Sequence, residues 1–178
     1  MKLKTYICNG LFTSLAFLFF NCSDNSSSAE KVKMASVPKG FVSSKDIGDA
    51  ITVKEFRESN QTNTPFIVEG FIGGRKKPFS QNRAVFILGD NSLETCDEIP
   101  GDSCPTPWDV CCEDRNKVAS STISIQVLDS NGSHLIGTLE GVSGLRPGKK
   151  VKVRGSLNEN SAGQAFIMNA TSIHLISN

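Results

Sequence analysis

The C-terminal two-thirds of this 178-residue chain predicts an all-β fold, a five-stranded barrel with one short helix before it and one long loop within it. Two observations predict it. After Pro65, short apolar runs end in Gly, Asn and Asp residues, which is typical of strands joined by turns. The composition, with 38% hydrophobic and 21% charged residues, is that of one ordinary globular domain.

The first residues of the chain have the layout of an export signal. Lys2 and Lys4 precede an apolar run over residues 6–20, as in a signal peptide with a basic head and a hydrophobic middle. The run is too short to span a bilayer comfortably, because a membrane helix needs about 20 apolar residues. The sequence therefore predicts an exported protein.

Residues 18–22, Leu-Phe-Phe-Asn-Cys, resemble the lipobox of bacterial lipoproteins. The resemblance implies that residues 1–21 are removed and that Cys22 becomes a lipid-modified N-terminus in the cell envelope, at the outer membrane or the periplasmic face. Two or more acyl chains are enough for stable attachment. Asn21 departs from the usual small residue before the Cys and is similar to the looser spirochaete pattern. The alternative is an ordinary cleaved signal peptide in which Cys22 is incidental.

Two segments separate the signal from the barrel. Residues 22–45 contain many Ser, Asn, Lys and Glu and few large apolar residues, which predicts a flexible tether. Residues 46–63 begin with Asp46 and Asp49 and carry spaced apolar residues, which predicts a short helix, or a strand that leads into a helix, followed by a polar connector. The barrel domain is expected over residues 64–178.

Each predicted strand has its own signal. The first is nearly continuous in apolar residues, the third alternates apolar and polar residues before an Asn-Gly turn, and the fourth follows a Pro-Gly turn with Val151 and Val153 on one face. The last ends in alternating apolar residues, which places His174 on the face opposite its neighbours and predicts that it is exposed. The five predicted strands are residues 66–72, 83–88, 122–128, 150–155 and 165–176.

A Gly within the first strand, the Leu-Arg-Pro-Gly turn at residues 145–148 and the final alternating strand resemble the OB-fold. The resemblance covers residues 64–177 and implies a Greek-key barrel whose first strand is long and bent, with Gly70 at the bend. Closing the sheet is physically reasonable because it removes unpaired strand edges. Another small antiparallel barrel or sandwich would share these strand patterns.

A long Cys-rich loop lies between predicted strands 2 and 3. It contains four cysteines, seven acidic residues and no basic residue between positions 94 and 114. Pro105 and Pro107 restrict the backbone between Cys104 and Trp108, which makes this stretch stiff. Residues 104–112, Cys-Pro-Thr-Pro-Trp-Asp-Val-Cys-Cys, resemble a motif in a family of exported bacterial proteins of unassigned function. That resemblance implies no activity.

The four cysteines have two main interpretations. In an oxidising compartment they would form two structural disulfides, Cys96 with Cys111 and Cys104 with Cys112 or the crossed pairing, each contributing about 2 to 3 kcal/mol. Adjacent Cα atoms lie only about 3.8 Å apart, too close for a bridge between Cys111 and Cys112. Alternatively, four thiolates, or three with a carboxylate or His134, would bind Zn(II) or Cu(I).

Other functions have little support in the sequence. A redox dithiol is disfavoured because the loop has no C-x-x-C motif and no basic residue that would lower a thiol pKa. His134 and His174 are the only histidines and neither lies beside a nucleophile motif, so no enzyme activity is predicted. Nucleic acid is disfavoured as a partner because 19 basic residues nearly balance 18 acidic ones.

Two surfaces remain as candidates for binding. Trp108 and Asp109 are a candidate contact at the end of the stiff loop segment. A second candidate is a patch for anions, for which the alternative interpretation is a solvated, charged outer face: Arg75, Lys76, Lys77, Lys150, Lys152 and Arg154. The sequence thus predicts a non-enzymatic, lipid-anchored envelope protein with an OB-like binding domain and a disulfide-stapled loop. The alternative is an envelope protein that binds or delivers a metal. Its partners would be the membrane and an unidentified protein or small ligand.

Overall fold

The structure, a computed structural model, describes residues 32–59, 61–62, 64–161 and 165–177. The predicted signal peptide, Cys22 and the first part of the predicted tether lie outside the described residues. The helices and strands have the following bounds: β1 Val42–Ser43, β2 Ile51–Thr52, α1 Val53–Ser59, β3 Pro65–Ile72, β4 Val85–Gly89, α2 Arg115–Ser120, β5 Thr122–Gln126, β6 Lys150–Leu157 and β7 Ile167–Leu175. Short 3-10 turns occupy Cys96–Glu98 and Val142–Gly144.

Five of these strands close into a barrel. β3 pairs antiparallel with β4, and β4 pairs antiparallel with β5. β5 runs parallel to β7, and β6 pairs antiparallel with both β7 and β3, which completes the circle. The all-β, five-stranded OB-like barrel predicted from the sequence is confirmed, and the predicted strands correspond to β3, β4, β5, β6 and β7. The two short outer strands lie outside this circle, where β1 pairs with β7 and β2 pairs with β3.

The long first strand of the barrel changes partners near Gly70. β3 pairs with β6 from Pro65 to Phe71 and with β4 at Phe71 and Ile72. A Cβ atom on Gly70 would lie 2.3 Å from the backbone oxygen of Gly89. The missing side chain therefore allows β4 to approach β3 closely where β3 changes partners.

The barrel interior is filled by alternate residues of the strands. Val68, Phe86, Ile125, Val151 and Met168 come from five different strands and are all fully buried. Burial of each side chain removes apolar surface from water, which stabilises the fold by roughly 25 cal/mol for each Å² buried. This core is therefore the main source of stability. The period-two pattern of the sequence thus sets which face of each strand lies inside.

Helix α1 covers one end of the barrel. Thr52 and Glu55 cap it reciprocally, because the Glu55 N–H donates to the Thr52 hydroxyl and the Thr52 N–H donates to the Glu55 carboxylate. Its buried residues, Val53 and Phe56, lie three positions apart and face the core. The Phe56 ring packs edge-on against Phe66, with 5.3 Å between ring centroids.

The described part of the predicted tether packs on the barrel, which differs from the sequence-based expectation. The Ala35 N–H donates to the Thr138 oxygen at 2.7 Å, and β1 pairs in parallel with β7. Phe41 and Val42 are each 8% exposed. Six of the fourteen residues at positions 32–45 are apolar, and Thr138 and β7 supply backbone hydrogen-bond partners for the segment.

The next segment, residues 46–48, is held by two basic residues of β6. The Lys152 ammonium donates to Asp46 Oδ1 at 3.0 Å and to the Gly48 oxygen at 2.9 Å. The Arg154 guanidinium donates to the Ile47 oxygen at 2.5 Å. These two members of the predicted anion patch therefore bind the chain itself.

The Lys152 contact predicts an acid-sensitive attachment. Its hydrogen bond to Asp46 lowers the pKa of that carboxyl. Because the folded pKa is depressed, the contact stabilises the fold above the unfolded pKa, and this contribution is lost as pH falls through the folded value. In Lys152→Met the Asp46 pKa should rise towards the ordinary Asp value of about 3.9, measured by NMR titration of the carboxyl carbon. Lys150→Met, two positions along the same strand face, is the matched control and should leave the Asp46 pKa unchanged.

Candidate metal centre

The loop between β4 and β5 is tied to the barrel at its first residue. Asp90 is 3% exposed, and its carboxylate accepts the backbone N–H groups of Lys54 and Ser92. The Asp90 N–H donates to the Ser121 oxygen at 2.9 Å, which joins the start of the loop to its end. The carboxylate thereby connects the loop to helix α1.

Backbone hydrogen bonds bring the two halves of the loop together. The Cys96 N–H donates to the Asp109 oxygen at 2.9 Å, and the Asp97 N–H donates to the Pro107 oxygen at 3.3 Å. The Gly74 N–H donates to the Trp108 oxygen at 3.0 Å, which holds the Pro-rich segment against the chain after β3. These bonds place Cys96 next to the segment that carries the other cysteines.

A small apolar cluster packs between the Cys-rich loop and the end of β3. Phe71, Leu93 and Val110 are each at most 5% exposed and form a core separate from that of the barrel, with Val118 of α2 packed against it. Helix α2 begins at the carboxylate of Asp114, which accepts the N–H groups of Asn116 and Lys117. This helix was not predicted, although Asp114 before a short helix-forming run is a recognisable N-cap signal.

The sulfur atoms of Cys96, Cys104 and Cys111 lie within 4.8 Å of one another. The Cys96 and Cys111 sulfurs are 3.5 Å apart, and the Cys112 sulfur is 4.0 Å from that of Cys111. Thiolates bound tetrahedrally to Zn(II) at about 2.3 Å would lie about 3.8 Å apart. The three cysteines, here called the thiol triad, could therefore hold a metal ion without a large rearrangement.

The triad runs from the interior to the surface. Cys96 is buried, Cys104 is half-buried and Cys111 and Cys112 are exposed. All four are free thiols in this structure. One side of the triad is therefore open to solvent and to an incoming ligand.

The thiols differ in how readily they lose a proton. Burial, together with the neighbouring Cys111 thiol, raises the pKa of Cys96 to about 12. The Thr106 hydroxyl lies 3.3 Å from the Cys104 sulfur and lowers the pKa of that thiol. Thr106 thus lowers a thiol pKa in a loop that has no basic residue to do so. A Thr between two Pro residues carries no sequence signal for this role.

These pKa directions predict an order of alkylation in the reduced, metal-free protein. Cys104 should react with iodoacetamide before Cys96, because only about one Cys96 thiol in ten thousand is ionised at pH 8 when its pKa is about 12. Thr106→Val should raise the Cys104 pKa and slow its alkylation, whereas Thr95→Val leaves the Thr106 contact in place and serves as the control. Peptide mass spectrometry of time points gives the order. Equal rates for Cys96 and Cys104 would contradict the prediction.

The other predicted site residues have structural roles or lie elsewhere. The Trp108 indole is half-buried and donates to the Lys76 oxygen at 3.2 Å, while Asp109 accepts the Val110 N–H. His134 is exposed after β5 and is not part of the triad. His174 is only 9% exposed, contrary to the prediction, and its Nε2 lies 4.0 Å from the Asp46 carboxylate in the segment that packs beside β6.

The predicted anion patch does not form one surface. Lys152 and Arg154 hold residues 46–48, as described above. Arg75 lies beside the exposed Cys111, in a cleft on one side of the loop. Lys76 and Lys77 face a different cleft, and Lys150 faces a third.

Comparisons with known proteins leave the family of this chain open. No family model and no curated protein matches the sequence. One solved structure with a similar chain path is a putative aspartyl-tRNA synthetase from Leishmania major Friedlin, at 8% identity and a TM-score of 0.41. The match covers 79% of this chain and 24% of that protein. The chemistry of the thiol triad therefore has to be understood from its own residues.

Within residues 32–177, apart from the gaps noted above, no helix is both long enough and apolar enough to cross a bilayer.

Proposed function

We propose that this chain is an exported, lipid-anchored envelope protein whose OB-like domain binds a soft or borderline metal ion on Cys96, Cys104 and Cys111. The observation that carries the proposal is the convergence of three sulfur atoms within 4.8 Å from two segments of one loop. A thiol is only a weak hydrogen-bond donor, so three thiols gain little from each other unless a bond or a shared ligand joins them.

The donor set favours Zn(II) or Cu(I). Soft thiolates select these ions over Mg(II) and Ca(II), which prefer oxygen ligands. Zinc sites with four protein ligands are structural, whereas sites with three keep one position open. Cys112, 4.0 Å from the Cys111 sulfur, is the candidate fourth ligand. The exposed side of the triad, formed by Cys111, would allow the ion to be exchanged with a carrier, as expected of metal delivery.

A second candidate, a disulfide-stapled loop, is favoured by one distance. The sulfurs of Cys96 and Cys111 are 3.5 Å apart, so oxidation of this pair needs only a small movement. This is one of the pairings expected from the sequence. An oxidising envelope would favour the bridge. Metal binding and a Cys96–Cys111 bridge exclude each other, because both use the same sulfurs.

The proposed location in the cell envelope depends on the signal peptide at the N-terminus. It is supported by the basic residues before the apolar run and by Cys22 at its end. Identifying the N-terminal residue and its modification by mass spectrometry of protein extracted in detergent tests it. A diacylated or triacylated Cys22 at the N-terminus is the expected result. An unmodified N-terminus at any other residue would overturn the proposal of a lipid anchor.

Native mass spectrometry of the full-length protein, isolated without reductant, tests the function. A bound metal adds its own mass, and chelation removes it, whereas two disulfides lower the mass by about four hydrogens relative to free thiols. We expect a mass increase equal to that of the bound metal ion, which chelation reverses. Reduced protein that binds neither Zn(II) nor Cu(I) would overturn the metal proposal, and a mass lower by two or four hydrogens without metal would support the stapled loop.

A further inference from the structure

A cleft of about 380 Å³ lies between the Cys-rich loop and the turn that precedes β6. Its apolar residues include Phe71, Leu93 and the Trp108 indole. The hydrogen bond from Trp108 Nε1 to the Lys76 oxygen fixes the indole ring. This size falls within the range of about 300 to 1,000 Å³ that is usual for small-ligand pockets, which combine an apolar lining with a few polar groups. The cleft is separate from the thiol triad, and the proposed metal site does not use it.

The loop contributes two carboxylates to this cleft. Asp97 and Glu98 both line it, and both bond to Thr95. The Thr95 hydroxyl donates to Asp97 Oδ1 at 2.6 Å, and the Thr95 N–H donates to Glu98 Oε2 at 2.9 Å. Each carboxylate is thereby held in place, with its second oxygen still able to accept a hydrogen bond.

The β6 side contributes two ammonium groups. Lys149 and Lys150 line the cleft immediately after the turn that ends at Gly148, whose N–H donates to the Ile72 oxygen at 2.7 Å. The ion pairs among the described residues involve Lys117, Lys152 and His174, so neither cleft lysine is paired with a described carboxylate. Both are available to an anionic group of a ligand.

Opposite charges on the two sides of one cleft select for a ligand that carries both charges. A polyanion such as a nucleotide would be repelled by Asp97 and Glu98, and a polycation would be repelled by the two lysines. We propose that this cleft binds a short peptide with free termini and an apolar or aromatic side chain. Its ammonium group would face Asp97 and Glu98, and its carboxylate would face Lys149 and Lys150. Its side chain would pack on Trp108, beside Pro107 and Pro147.

The test uses the full-length reduced protein in detergent and the dipeptide phenylalanyl-leucine. Trp108 is the single tryptophan of the chain, so its fluorescence reports on the cleft directly, and calorimetry gives an independent affinity. The free dipeptide should bind saturably, and its N-acetylated and C-amidated forms should each bind about three- to fivefold more weakly, because each lacks one charge contact. Binding that is equal for all three forms, or absent up to about 10 mM, would overturn the proposal.

Charge-reversal variants locate the binding site. Lys149→Glu combined with Lys150→Glu should weaken binding of the free dipeptide by at least about fivefold, while Lys39→Glu, an exposed site outside the cleft, should not change it. Unchanged binding in the double variant would overturn the assignment. The same titration on Cys104→Ser separates this inference from the metal proposal, since that variant should lose metal affinity and keep the dipeptide affinity.

Discussion

Replacing Cys96 by serine should lower the affinity of the reduced protein for Zn(II) or Cu(I) by about 100- to 1,000-fold. Cys96 is the buried member of the triad, and its sulfur lies 3.5 Å from that of Cys111. A serine hydroxyl at that position keeps the size of the side chain but does not supply a thiolate, so one of three ligands is lost. Competition with a chromophoric chelator under anaerobic conditions measures the affinity.

Two further variants make this prediction specific. Cys104→Ser should produce a loss of similar size, because Cys104 belongs to the same triad. Cys112→Ser should produce a smaller loss, since Cys112 lies outside the group whose sulfurs are all within 4.8 Å. Circular dichroism confirms that each variant is folded before the titration. Wild-type affinity in folded Cys96→Ser would rule out the triad as the metal site.

Replacing Gly70 by alanine should destabilise the barrel by about 3 kcal/mol, the upper part of the range for overpacked positions. The added methyl group would lie 2.3 Å from the Gly89 oxygen and 3.0 Å from the Leu88 side chain. Gly89 pairs with Phe71 on one side and Thr122 on the other, so its backbone cannot shift without breaking the closure of the barrel. The free energy of unfolding, from urea denaturation followed by circular dichroism, measures the effect.

Gly132→Ala is the matched control for this variant. Nothing lies within 4 Å of a Cβ at Gly132, but its φ of +76° disfavours alanine. It should therefore cost only about 1 kcal/mol, the penalty of a left-handed backbone for a residue with a side chain. If Gly70→Ala lowers the free energy of unfolding by no more than Gly132→Ala does, the close approach of β4 to β3 does not require glycine at position 70.

The sequence was sufficient where structure depends on neighbouring residues. The alternation of Val151 and Val153 with Lys152 predicted a strand with one buried face, and β6 has that pattern. The resemblance to the OB-fold placed Gly70 at a bend of the first strand, and β3 changes partners from β6 to β4 beside this residue. These signals work because strand residues alternate between two faces, so burial follows from position alone.

The sequence was insufficient where two distant segments decide the outcome. Residues 32–45 follow a Ser-rich stretch and were predicted to continue the tether, yet Thr138 and β7 give them backbone partners, and the Asp46 carboxylate lies 4.0 Å from His174 Nε2. The sequence predicted a solvated or anion-binding face at Lys152 and Arg154, but both side chains donate hydrogen bonds to residues 46–48. A local pattern carries no information on what covers an edge or a face.

The candidate site shows the same division. The cysteine count, the Pro-rich spacing and the acidic character of the loop come from the sequence alone, and they left disulfide and metal interpretations open. Only the tertiary structure decided that Cys96, Cys104 and Cys111 converge, because the backbone bonds from Cys96 and Asp97 to the Trp108 segment fold the loop on itself. The order of residues along the chain determined the strands and the turns. The distances between side chains far apart in sequence were determined by the closed barrel and by the hydrogen bonds that its loops satisfy.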